Sequence, residues 1–195
     1  MALRQMEEKH MKMVRKEEFQ KTKDSQKRFA IFFTIAAILW MIIIFLFSAQ
    51  PAEQSTDISH RVGELVGIVF VPGFKQWEPE RQQSFAAQID FGVRKTAHAM
   101  EYAFLCALIL LAFHFYVRTR YSGAVSVFRW RFRNRITEMC LGVSVLVAVA
   151  YAVTDEVHQL FVPGRSGRIT DVLIDGAGAV VGGIVVRLLM RLHKE

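Results

Sequence analysis

The chain has 195 residues, of which 52% are hydrophobic and 22% charged, and its mean hydropathy of +0.24 is high for a soluble domain. A net charge of +7 would suit nucleic acid or an anionic membrane surface, and the clustering of the apolar residues selects the membrane, so no nucleic-acid partner is expected. Cys106 and Cys140, the two cysteines, both fall in apolar segments and give neither a disulfide framework nor a zinc motif.

Residues 1–28 form a charged, partly helical arm with nine lysines and arginines. Residues 29–47, FAIFFTIAAILWMIIIFLF, are an uncharged run of 19, close to the roughly 20 residues a helix needs to cross the hydrocarbon core. The run begins after a long arm and no small-residue cleavage site follows it, which argues against a secretion signal. Beyond it, Ile58, Val62, Leu65, Val66 and Val69 recur at helical spacing, so 55–70 reads as an amphipathic helix lying on the outer surface. The sequence VPG at 71–73 ends that helix, and 79–92 reads as a second short one with Pro79 near its start. Three more spans follow, at about 95–117, 136–160 and 169–190. The fold class is therefore all-α: a four-span membrane bundle (residues 29–190) with an external amphipathic segment between the first two spans and a short tail at 191–195.

Lysine and arginine bias sets the orientation. The arm, the 118–135 loop and the segment after Val186 carry nine, six and three, against five in 48–95 and two in 154–168. Both termini then face the cytoplasm. In the 118–135 loop, arginines alternate with Phe128, Trp130 and Phe132, a pattern that anchors the inner interface.

With that topology the polar clusters meet at the outer end of the bundle. The first span exits with Ser48, Gln50, Ser55 and Ser59. The second enters with Arg94, Lys95, His98, Glu101 and Tyr102, and the third exits with Tyr151, Asp155, Glu156, His158 and Gln159. A turn holding Arg165, Ser166 and Arg168 leads to Asp171 and Asp175 in the fourth. Asp171, Asp175, Gly178 and Gly182 share one helix stripe, and a small-residue stripe permits close helix packing, so these acids should face other helices.

Three chemistries fit this set. A structural network would pair the cations with Glu101, Asp155, Glu156, Asp171 and Asp175. An acid–base or metal site would use His98–Glu101 and Asp155–His158, two i, i+3 pairs that make His98, Glu101, Asp155 and His158 candidate ligands for a divalent metal. A pocket for an anionic envelope group would use Arg94, Lys95, Arg165, Ser166 and Arg168, with Ser48, Gln50, Tyr102 and Gln159 as further lining.

The blocks FSAQ (47–50), RKTAHAMEY (94–102), DEVHQLFVPGRSGR (155–168) and TDVLIDGAGAVVGG (170–183) together resemble the VanZ-like membrane protein family over about residues 29–190. The resemblance implies a multi-pass bacterial envelope protein linked in some members to tolerance of the glycopeptide teicoplanin. It assigns no role to any single residue. Two functions are thus expected: a factor binding a cell-wall precursor or other lipid-linked anion, or a membrane-embedded hydrolase or transferase, with or without a divalent metal, acting on a lipid head group, with His98 or His158 as its base and catalytic carboxylates from Glu101, Asp155, Glu156, Asp171 and Asp175. Membrane lipid is the expected immediate partner.

The orientation is testable. Reporter fusions within 71–78 and 161–168 should both read as external, whereas fusions within 122–128 and at the carboxyl terminus should read as cytoplasmic. Opposite readings for the first two positions would dismantle the shared cluster.

Overall fold

The computed structural model describes residues 1–121 and 129–192, and among them the chain is helical with no strand. The elements are α1 (Ala2–Ser48), α2 (Ala52–Phe70), a 3-10 turn (Phe74–Gln76), α3 (Pro79–Tyr121), α4 (Arg129–Gln159) and α5 (Ile169–Leu192). Four of the five α-helices, all but α2, are long and apolar enough to cross a membrane. Helix α3 is the hub, against which α1, α2, α4 and α5 all pack. Its Tyr102, Leu105, Cys106 and Ile109 form the core with Ile44 of α1, Ala148 and Ala152 of α4 and Ala179 of α5. Large side chains such as Phe32, Ile35, Leu39 and Leu46 of α1 remain exposed on the bundle's rim, as suits helices solvated by lipid.

Two elements are longer than the sequence suggests. The arm and first span are one uninterrupted helix of 47 residues. The short helix expected at 79–92 also runs straight into the second span, because nothing from Gln88 to Ala97 interrupts it: Gly92 alone is not a helix stop, and no proline intervenes. At about 1.5 Å per residue α3 extends roughly 65 Å, about twice the hydrocarbon thickness. Its first half therefore projects as a platform on which α2 folds back.

The face on which α2 docks is one that the apolar periodicity does not mark. Its buried residues are Ser59, Gly63 and Gly67, a small-residue seam. A Cβ on Gly63 would come within 3.1 Å of the Ala86 backbone, and one on Gly67 would overlap the Phe74 ring. The apolar stripe read from the sequence is not the packed face: Ile58, Val62, Leu65 and Val69 stay exposed. Gly73 ends the hairpin arm with φ 75, the left-handed conformation that glycine adopts without strain. Of the stretch expected as a 118–135 loop, residues 122–128 lie outside the described residues, and the remainder ends α3 and begins α4.

Helix α5 meets α3 through Gly178 and Gly182. A Cβ on either would overlap the backbone of Ala99 or Ala103 respectively. Gly178→Ala or Gly182→Ala should each destabilise the protein by about 1–3 kcal/mol in denaturant unfolding from detergent. Gly142→Ala, whose new methyl would find nothing within 4 Å, should leave the midpoint in place.

Candidate functional site

The close α3–α5 seam determines where the charged residues go. One turn before Gly178, Asp175 is almost fully buried, with 1% of its surface exposed, and His98 Nδ1 lies 3.8 Å from its Oδ1. One further turn out, Lys95 Nζ contacts Asp171 Oδ2 at 2.5 Å. The stripe of the sequence thus becomes a ladder: Lys95–Asp171, His98–Asp175, Ala99–Gly178, Ala103–Gly182. Asp171 also sits in the first turn of α5, where the helix dipole favours a negative charge.

From α4, Glu156 accepts a hydrogen bond from the Arg168 backbone N–H at 2.8 Å, which fixes the start of α5. Gln159 donates to Asp155 Oδ2 at 3.2 Å, leaving Asp155 Oδ1 buried without a partner among the described residues. The turn after α4 is held to α2 by the Ala52 N–H donating to the Pro163 carbonyl at 3.2 Å. Within that turn Arg165 reaches across to the end of α1. Its Nε donates to the Gln50 carbonyl at 3.1 Å and its Nη2 lies 3.4 Å from the Phe47 carbonyl. A cation at a helix carboxyl end is favourable. Burial pushes the Arg165 guanidinium below its ordinary value, with Arg94 adding to the push, while Asp155, Glu156 and Glu101 pull the other way.

A second network, on α2 and the outer half of α3, joins the first. Arg94 bridges Asp90 at 2.6 Å and lies 3.4 Å from the Thr56 hydroxyl, and the Ser59 hydroxyl donates to Asp90. Sequence reading found Arg94 and Ser59 but missed Asp90, although its i, i+4 spacing to Arg94 was visible. The tryptophan indole of α1 was missed as well: Trp40 donates to the Glu101 carbonyl at 2.9 Å.

These groups surround one cavity of about 770 Å³ between α1, α2 and α3, within the usual size for a small-molecule site. Its polar lining includes Ser48, Gln50, Arg94, His98, Glu101, Asp155 and Arg165, and its apolar lining includes Ile44, Phe47, Ile58, Val62, Val66, Phe91 and Met100. The expected site residues therefore divide. Those seven line the cavity, and Lys95, Asp171, Asp175, Glu156 and Gln159 stand behind it in the supporting network. Tyr102 is a core residue facing Tyr151, ring centroids 6.2 Å apart. Ser166 and the Arg168 side chain are exposed and point to no cavity residue; only the Arg168 backbone is engaged.

The candidate metal ligands divide in the same way. His98, Glu101 and Asp155 line the cavity, but the His158 ring packs on Phe45 with centroids 4.4 Å apart. Among the described residues no three His, Cys, Asp or Glu side chains form a group that could hold a metal ion.

A family model described as VanZ/LLP1 matches residues 33–190. The chain belongs to the VanZ/LLP1 family. No curated protein and no solved structure matches it. The matched region of this VanZ/LLP1 member contains every residue of the cavity and of its supporting network.

The Lys95–Asp171 pair should behave as a buried support. Lys95→Ala is expected to cost about 2 kcal/mol by leaving Asp171 unpaired. Lys95→Ala with Asp171→Ala should recover part of that loss in a double-mutant cycle of detergent-phase unfolding. Additive losses would show that the two side chains do not interact.

Proposed function

We propose that this multi-pass VanZ/LLP1 protein binds a membrane amphiphile of the bacterial envelope through an anionic, lipid-linked head group, and that occupancy alters susceptibility to glycopeptides such as teicoplanin. The observation that carries the reading is a cavity lined both by apolar side chains of α1, α2 and α3 and by Arg94 and Arg165. Phe47, Ile58, Val62, Phe91 and Met100 line it and yet remain exposed, so a hydrocarbon chain can lie against them while the head group turns inward. Arg165 forms no ion pair among the described residues, and its bonds to backbone carbonyls leave its charge available to an anion. The lysine and arginine bias of the loops supports an outward-facing mouth, on the side where cell-wall precursors are handled.

The second reading, a hydrolase or transferase acting on the same head group, is favoured by one observation: His98 lines the cavity and has Asp175 behind it at 3.8 Å. No hydrogen bond joins them at that distance, and closing the gap on ligand binding would orient His98 as a general base. The two readings separate on His98→Ala. A binding factor keeps its phenotype when head-group affinity is kept, whereas an enzyme loses the phenotype with affinity intact.

Binding itself is tested with phosphatidylglycerol and purified protein by native mass spectrometry. Arg165→Ala should weaken retention about tenfold, the loss of one charge-assisted interaction. Arg168→Ala, an exposed side chain, should leave it unchanged. Equal losses for the two variants would mean that surface charge alone attracts the lipid.

A further inference from the structure

The polar end of the cavity is not uniformly basic. Two carboxyl side chains, Glu101 and Asp155, line it alongside Arg165. Asp155 is 2% exposed and its Oδ1 has no hydrogen-bond partner among the described residues. The Glu101 side chain forms no ion pair among them either; only its backbone carbonyl is used, by Trp40. The cations nearest by sequence are occupied elsewhere, Arg94 with Asp90 and Lys95 with Asp171. Of the two guanidiniums that line the cavity, Arg94 is thus paired with Asp90, and Arg165, on the α4–α5 turn, shares the lining with two carboxyls on α3 and α4.

A purely anionic head group would satisfy Arg165 and be repelled by the two carboxylates, and that repulsion is strong where water is scarce. A head group carrying a phosphate and a primary ammonium would satisfy both. We propose that the cavity selects an amphiphile whose head group pairs a phosphate with a primary ammonium, the phosphate on Arg165 and the ammonium between Glu101 and Asp155. This rests on the amphiphile-binding reading above and adds the charge pattern of the ligand. The apolar walls point to a membrane lipid as its source, since a free head group would leave Ile58, Val62 and Phe91 uncovered.

The test is competition by native mass spectrometry of the full-length protein, with phosphatidylethanolamine and phosphatidylglycerol of identical acyl chains at equal concentration. Retention of phosphatidylethanolamine should be about tenfold higher, the value of one charge-assisted contact. Glu101→Gln should bring the ratio towards one while phosphatidylglycerol is still bound, and Arg165→Ala should weaken both lipids together. Excess soluble phosphoethanolamine should displace neither. A wild-type preference for phosphatidylglycerol, or a ratio of one, overturns this inference; if that binding still depends on Arg165, the broader anion-binding reading survives. No dependence of either lipid on Arg165 overturns both. Displacement by soluble phosphoethanolamine would make the free head group the ligand and overturn the lipid assignment. The wild-type ratio decides the question even where Glu101→Gln fails to fold.

Discussion

The approach of α5 to α3 is the constraint on which the site depends. Gly178 and Gly182 bring the α5 backbone onto Ala99 and Ala103, and helices that close leave no choice about what stands one and two turns further out. Asp175 must meet His98 and Asp171 must meet Lys95. Ionisable groups at such depth are costly unless paired or used, and here Lys95 pairs closely with Asp171, while His98 lines the cavity 3.8 Å from Asp175. Glu101 and His98 stand on α3 between these two environments.

The opposite end of the bundle shows what a purely structural charge contact looks like in the same protein. Arg187 of α5 bridges Glu138 of α4, with Arg191 a further 3.8 Å contact, and Glu138 is half exposed. At the mouth end, by contrast, carboxyls outnumber the cations that reach them, and a buried Asp155 oxygen and both Asp175 oxygens have no hydrogen bond among the described residues. That imbalance is the feature on which the proposed ligand-binding reading rests.

Much of this was legible in the sequence because two periodicities agree. The Asp171, Asp175, Gly178, Gly182 stripe and the Lys95, His98, Tyr102 stripe each mark one helix face, and charge bias puts their polar ends on the same side. The VPG break at 71–73 likewise appears where expected, after Phe70. Periodicity shows which residues share a face and is silent on what covers it. For α2 the periodicity marks an amphipathic surface helix but not the Ser59, Gly63, Gly67 seam on which it docks, where backbones can approach, and its apolar stripe is cavity wall and exposed surface. Tyr102 and His158 fell on the correct stripes but at its flanks, where the neighbour is an aromatic ring rather than the cavity. The continuity of α3 was hidden by composition: its outer half is polar, so hydropathy marks a boundary at Lys95 that the backbone does not have.

The central claim is that helix ends far apart in the chain share one pocket, and thiol cross-linking in native membranes tests it most directly. With Cys106 and Cys140 replaced by alanine, the pairs Gln50→Cys with Arg165→Cys and Lys95→Cys with Asp171→Cys should each be bridged within one chain by a short bifunctional thiol reagent. The control pair Lys95→Cys with Glu138→Cys, from opposite ends of the bundle, should not. Failure of both test pairs, or bridging of the control with equal efficiency, would contradict the shared pocket.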